Sequence, residues 1–418
     1  MNIKSVLLMI LTLLLTTGGL AQAGGSPIGQ RFPISPVSTS DEGEWYPSVA
    51  YNSNWHEYLV VWMRLDSPDQ YNIYGQFVSH SGALIGSRFL IPAFVGRNGL
   101  PDVAYNPARN EYLVVFDSIA GTSGPQGIHG MRLDGFGSPL GTQLTFAYST
   151  TTTGYFAPAV AYSTQSGEYL VVWNSSQIGK MGIEARTLSG DGSTLGPILE
   201  ITGLQEYVEP SWPDVAYSRA WDEFLVVWER YDSTFSAHDI MGQRIGMFGG
   251  AHLEGPNFPI HFTSDDEMGA AVAWVSRPSG AGDYLVTCSL NYSGVKHIAG
   301  QLLTDAGAIH DGIIISPSGN NDLVRASAVA GNENTHEFLV AWRYGGVIQA
   351  RTVTTGGALG PYAASQPDGL DPDYPAVAAG PLGDYLVAYN DHYSGYPTDV
   401  FGFLWGNRVF LPLVLRNF

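Results

Sequence analysis

Only one cysteine, Cys288, stands in 418 residues. No intramolecular disulfide can brace the chain, so its stability must come from burial and hydrogen bonding. Basic residues are scarce as well, 19 Lys and Arg against 38 Asp and Glu, for a net charge of −19. That balance repels phosphate backbones and anionic lipid and argues against nucleic acid as a partner. Past the first 23 residues no apolar run is long enough to span a bilayer, and no stretch of useful length repeats with the 3.6-residue period of a helix. HExxH, the P-loop, the EF-hand loop and G-x-S-x-G are all missing. The ten histidines are scattered, and "DPDYP" at Asp371 lacks the spacing of a calcium cage. Neither a metal nor a cofactor is expected.

What is present is apolar and aromatic material in quantity, 44% and 12% of the chain, with 51 glycines. The N-terminus reads as a cleaved secretory signal over residues 1–23, with Lys4 as the positive region, Val6–Leu15 as the apolar region and "AQA" ending at Ala23 as the cleavage site. A secreted or cell-surface location follows. Together with the single cysteine it suits a bacterial exported protein, expected as a monomer.

One phrase recurs through the rest. "YPSVAYNSNWHEYLVVWMR" from Tyr46, "LPDVAYNPARNEYLVVFDS" from Leu100, "APAVAYSTQSGEYLVVWNS" from Ala157 and "WPDVAYSRAWDEFLVVWER" from Trp212 are near copies. Aligned on the Val of "VAY" the copies fall at Val49, Val103, Val160, Val215, Val272, Val329 and Val377, at spacings of 54, 57, 55, 57, 57 and 48. Each reads as four strands: Pro-x-Val-Ala-Tyr; a continuous apolar strand such as "EYLVVW", typical of one covered on both faces; a third strand with a small residue (Gly75, Gly130, Ala185, Gly242, Gly300, Ala350, Gly402); and a fourth after a Gly-rich turn. The large residue ending the second strand is the expected partner of that small residue. The fold predicted is all-β, a seven-bladed β-propeller of four-stranded antiparallel blades over residues 27–406. "QRFPIS", residues 30–35, resembles the fourth strand "SRFLIP" of the first copy and is expected to close the ring. Arg408–Leu415 is the competing candidate, and residues 407–418 otherwise form an apolar strand or tail.

This blade layout resembles the sialidase-like propellers that carry Asp-box repeats, over about residues 27–406. The Asp box itself, S-x-D-x-G-x-T-W, is absent: the matching turns read "SHSGALIG" and "LSGDGSTLG". The arginines Arg132, Arg186, Arg244 and Arg351 recur at one repeat position, which favours a structural role over the arginine triad the resemblance implies.

The loops from strand four to strand one, and from two to three, share one face. They vary between copies and carry an excess of acids and aromatics, as binding loops on a rigid scaffold do. The residues expected to form the ligand-binding face are Trp45, Tyr46, Tyr155, Glu206, Tyr207, Trp212, Asp265, Asp371, Asp373 and Tyr374. Aromatic faces beside carboxylates suit sugar rings and also suit a basic protein patch. The function expected is therefore that of a non-catalytic glycan- or protein-binding protein. The alternative is a glycoside hydrolase of sialidase-like propeller type, whose two carboxyl groups would be Asp102 and Asp214, at a position that is Ser48 or Ala in the other copies.

Overall fold

A computed structural model describes residues 26–36, 43–93, 96–121, 124–150, 153–204, 208–233, 237–261, 265–292, 294–316, 327–365, 371–392 and 398–406. The expected signal segment 1–23, the tail 407–418, Glu206 and Tyr207 lie outside these residues.

Among the described residues the chain is almost wholly antiparallel β. Five sheets are four-stranded, and one eight-stranded sheet consists of two such units joined by the single parallel bridge Tyr71–Arg97. Blade 3 is typical, with strands Thr153–Tyr162, Glu168–Gln177, Lys180–Ser189 and Leu195–Glu200. First strands of successive units touch in chain order. The last, Asp371–Ala379, touches the first, Glu44–Asn52, so the units form a closed ring around an axis. The protein is a β-propeller, and no helix among the described residues is long and apolar enough to cross a membrane.

The pleat explains why each second strand is apolar throughout. Successive side chains point to opposite faces. In blade 1 Tyr58, Val60 and Trp62 pack with Leu386 and Ala388 of blade 7. The alternate residues Leu59 and Val61 pack with Val103, Tyr112 and Val114 of blade 2. Blade 3 repeats the scheme, with Tyr169, Val171 and Trp173 toward blade 2 and Leu170 and Val172 toward blade 4. A blade has no solvent face in its middle, so a polar residue stands there only with a hydrogen-bond partner, as Thr287 does with Ser327.

The same alternation decides whether the large residue ending strand two meets a small residue of its own blade or of the next. Within a blade it does not, whereas the next blade's large residue shares the small residue's core, as Trp228 does with Ala185 and Tyr389 with Ala350. Ala185 pairs with Val172 and lies in the core shared with blade 4, whereas Trp173 pairs with Glu184 and lies in the core shared with blade 2. The small residue makes room for strand four of its own blade. A Cβ on Gly75, Gly130, Gly242, Gly300 or Gly402 would stand 2.6–2.8 Å from Phe89, Phe146, Ile260, Ile315 or Ile34 respectively.

Polar side chains tie blade to blade at the other end of strand one. Asn52 and Asn106 accept from the backbone N–H groups two and three residues on, forming turns. Their amide groups donate across the blade boundary, Asn52 to Asn110 at 2.9 Å and Asn106 to the Gly190 carbonyl at 3.3 Å. The recurrent arginines are occupied likewise. Arg132 and Arg244 pair with Glu111 and Glu223, the acids that open strand two in their own blades. Arg186 and Arg351 donate to carbonyls, including Phe146 and Ile315 of the preceding blade. Cys288 is buried in the core between blades 4 and 5, and burial pushes its thiol well above the ordinary range.

The outer strand of blade 7 is Ser26–Pro33, antiparallel to Thr398–Gly406. Just beyond it Ile34 and Ser35 donate backbone N–H groups to the Val400 carbonyl, and Val400 donates to the Ser35 hydroxyl. Ile315-Ser316 makes the same three bonds to Ile298 in blade 5.

Candidate functional site

Among the described residues six of the seven first strands are kinked by a bulge three residues before the Val of "VAY", and these bulges build the mouth of the central channel. Register shifts fall between Trp45 and Ser48, Gly99 and Asp102, Phe156 and Ala159, Ser211 and Asp214, Met268 and Ala271, and Asp373 and Ala376. In each, one residue sits in the left-handed region: Tyr46 (φ 54°), Leu100 (45°), Ala157 (52°), Trp212 (51°), Gly269 (67°) and Tyr374 (49°). Five of the six are not glycine, and a bulky residue there is a genuine outlier that costs of order 1–3 kcal/mol. The surroundings hold it. The residue after the strand-two aromatic reaches across from the preceding blade to the bulge N–H: Asp117 accepts from Ala157 at 3.3 Å, Asn174 from Trp212 at 2.9 Å and Glu229 from Gly269 at 2.8 Å.

Three of these bulges carry aromatic rings. Tyr46 and Tyr374, from neighbouring blades 1 and 7, stand with centroids 4.5 Å apart at 60°. Trp212 of blade 4, 37% exposed, faces the same opening. The three line a cleft of about 250 Å³ with Pro213, Gly269, Ala270, Ser327 and Glu229. Beneath it the channel continues as a space of about 330 Å³ walled by the first strands, including Ser48, Asp102 and Asp214.

Asp102 and Asp214 are equivalent residues of blades 2 and 4, and each bonds to the next blade. Asp102 accepts from Val160 N at 2.8 Å and from the Ser48 hydroxyl at 2.6 Å. Asp214 accepts from Val272 N and from its neighbour Val215 N, both at 2.8 Å. Burial raises both carboxyl groups. Asp214 is pushed up to about 7, with the charge of Asp102 adding to the effect and the Val272 bond opposing it. Asp117 is raised by burial to about 6.

Of the residues predicted for the ligand face, the structure gathers Tyr46, Trp212 and Tyr374 at one mouth. Asp371 and Asp373 lie on the strand that carries Tyr374 and are held by Arg343, at 2.5 and 3.5 Å. Trp45 instead packs near Tyr71, with ring centroids 6.3 Å apart. Tyr155 is half-buried against the core between blades 2 and 3. Neither they nor Asp265 are among the described residues that line the cleft. Sequence reasoning missed Glu229, Ser327 and the left-handed bulges. Glu229 had a signal, since it follows the strand-two aromatic where other copies have Asp117, Asn174 and Asn390.

No family model matches the chain, and no curated protein matches it in sequence. Solved structures do match in shape. A protein of unknown function from Dyadobacter fermentans superposes with a TM-score of 0.57 at 12% identity, covering 92% of this chain and 99% of that one. The polysaccharide lyase Uly1 gives 0.52 at 9% identity, covering 90% and 100%. The Dos1 propeller gives 0.50 at 9%, covering 91% and 95%. Sialidases are among the looser matches. At such identities the likeness is one of fold, which is the β-propeller.

Proposed function

We propose that this protein is a non-catalytic carbohydrate-binding propeller that works outside the cytoplasm, with its ligand seated in the aromatic cleft at the channel mouth. The observation that carries the reading is the placement of Tyr46, Trp212 and Tyr374 at strained left-handed positions around one opening. Strain that a fold retains at a few bulky residues is a reason to look for function there. Aromatic rings offer apolar faces to the C–H faces of a pyranose, and Glu229 and Ser327 stand beside them to bond hydroxyl groups. The signal-like N-terminus and the single buried cysteine support export.

One observation favours hydrolysis as a second reading. A carboxyl raised to about 7, Asp214, with a second carboxyl near enough to affect it, resembles the unequal acid pair of a glycosidase. Against it, both Asp102 and Asp214 already accept two hydrogen bonds that join or brace the blades.

A glycan array with a panel of hydrolase substrates tests both readings. Binding without turnover is expected, and Trp212→Ala should weaken it at least about tenfold, or about 1.4 kcal/mol. Binding that ignores Trp212→Ala would remove the cleft from the site. Turnover abolished by Asp102→Asn would establish the hydrolase.

A further inference from the structure

We infer that the ligand of this cleft is cationic, a saccharide bearing free amino groups, in preference to neutral, N-acetylated or acidic sugars. This rests on the carbohydrate reading above and narrows it. Among the described residues lining the cleft and the channel below, the ionisable groups with a charge at stake are Glu229, Asp102 and Asp214, with no Lys, Arg or His. Arg343 is engaged by Asp371 and Asp373, and Arg230, which follows Glu229 in strand two, by Asp239. A sialate or uronate entering here would find no cation among these residues to receive it.

Glu229 gives the sign a specific focus. It is 7% exposed, and it accepts from the Ser211 hydroxyl at 3.1 Å and the Gly269 N–H at 2.8 Å, both neutral. Several buried acids in the ring have an arginine, Glu44 with Arg64 and Arg88, Glu223 with Arg244 and Asp283 with Arg277, whereas Glu229, like Asp305, accepts from neutral groups. Buried charges are ordinarily paired, and each oxygen of Glu229 keeps lone-pair capacity beyond one accepted bond. An ammonium carried in on the ligand supplies the missing counter-charge. The aromatic walls suit the same group, because ring faces attract cations as well as C–H bonds. The chain's net charge of −19 raises the local concentration of cations and speeds their encounter.

The test compares oligosaccharides of one length by calorimetry at pH 5.5: a β-1,4-glucosamine tetramer, its fully N-acetylated counterpart and cellotetraose. The glucosamine tetramer should bind at least about tenfold tighter than either, a gap of about 1.4 kcal/mol, and the gap should narrow with added salt. Glu229→Gln should erase the preference and leave neutral-sugar binding in place. Trp212→Ala should abolish binding of the tetramer, and retention at wild-type strength would mean diffuse attraction to an acidic surface and overturn the inference. Equal binding of all three sugars would defeat the charge preference while sparing the carbohydrate reading. Failure of every sugar, with capture of a trimethyl-lysine peptide, would defeat the carbohydrate reading itself. The wild-type comparison and its salt dependence decide the matter even if Glu229→Gln does not fold.

Discussion

The raised carboxyl of Asp214 makes stability depend on pH in a direction that can be checked. An acid whose folded-state pKa exceeds its unfolded value stabilises the fold at low pH, where both states hold the proton. That contribution is lost as pH rises toward the folded pKa, because the unfolded chain gives up its proton first. For Asp214 the window runs from about 3.8 to about 7. A rise of that size corresponds to about 4 kcal/mol, and because the residue is only partly buried, screening trims it to about 2–4 kcal/mol. The perturbation is Asp214→Asn, which cannot titrate. It loses one of the two acceptors facing Val215 and Val272, a pH-independent cost of about 1–3 kcal/mol. Urea unfolding of wild type and variant, followed by tryptophan fluorescence at pH 4, 5.5, 7 and 8.5, isolates this residue, since groups elsewhere cancel in the difference. The variant should be the weaker protein at pH 4 and should gain on wild type by about 2–4 kcal/mol by pH 8.5. A stability difference that stays flat across this range, or moves the other way, would refute the reasoning.

Three further outcomes follow from the packing. Gly242→Val should destabilise by about 1–3 kcal/mol, because a Cβ there would meet Ile260 Cδ1 at 2.6 Å; Gly242→Ala should cost less, since Ala185 and Ala350 fill that position in two blades, and thermal melts rank the pair. Trp173→Ala should cost about 3–5 kcal/mol, given its complete burial and its Nε1 bond to Glu184 at 3.1 Å, as read from chemical denaturation. Trp212→Ala should leave the melting temperature within a degree or two of wild type, because its ring borders the cleft and the backbone bond to Asn174 survives the change; a fall as large as that of Trp173→Ala would make Trp212 a core residue.

The blades were legible because "EYLVVW" can exist only where both faces are covered, and its recurrence says how often. The site was legible in composition and not in geometry. Tyr46, Leu100, Ala157, Trp212 and Tyr374 all precede proline, which ordinarily pushes a residue toward extended conformations. The local rule thus pointed away from the left-handed bulge, and only the preceding blade's Asp117, Asn174 or Glu229, or the neighbouring Asp373 in the case of Tyr374, shows what sustains it. Trp45 and Tyr46 are adjacent and looked interchangeable, yet the bulge sends one toward Tyr71 and the other to the channel mouth. Asp102 and Asp214 stood out as departures from the repeat. Their bonds to Val160 and Val272 lie across blade boundaries, at a separation of 58 residues that a linear reading does not connect.

The strand Ser26–Pro33 has a consequence for how the molecule is made. Its partners lie far downstream in the chain: Arg31 meets Asp391, 360 residues on, and Ile34 fills the space above Gly402. Joining ends so far apart adds little to the equilibrium cost, which grows only with the logarithm of the loop. The delay is kinetic, since contacts this distant in sequence form late. Until they form, blade 1 presents Tyr58, Val60 and Trp62 with no blade 7 against them, a sticky face on an unfinished chain and a route to aggregation. A recombinant form that begins after residue 35, or buries that strand under a bulky N-terminal fusion, should therefore accumulate as aggregate even though every blade but the last keeps all its strands.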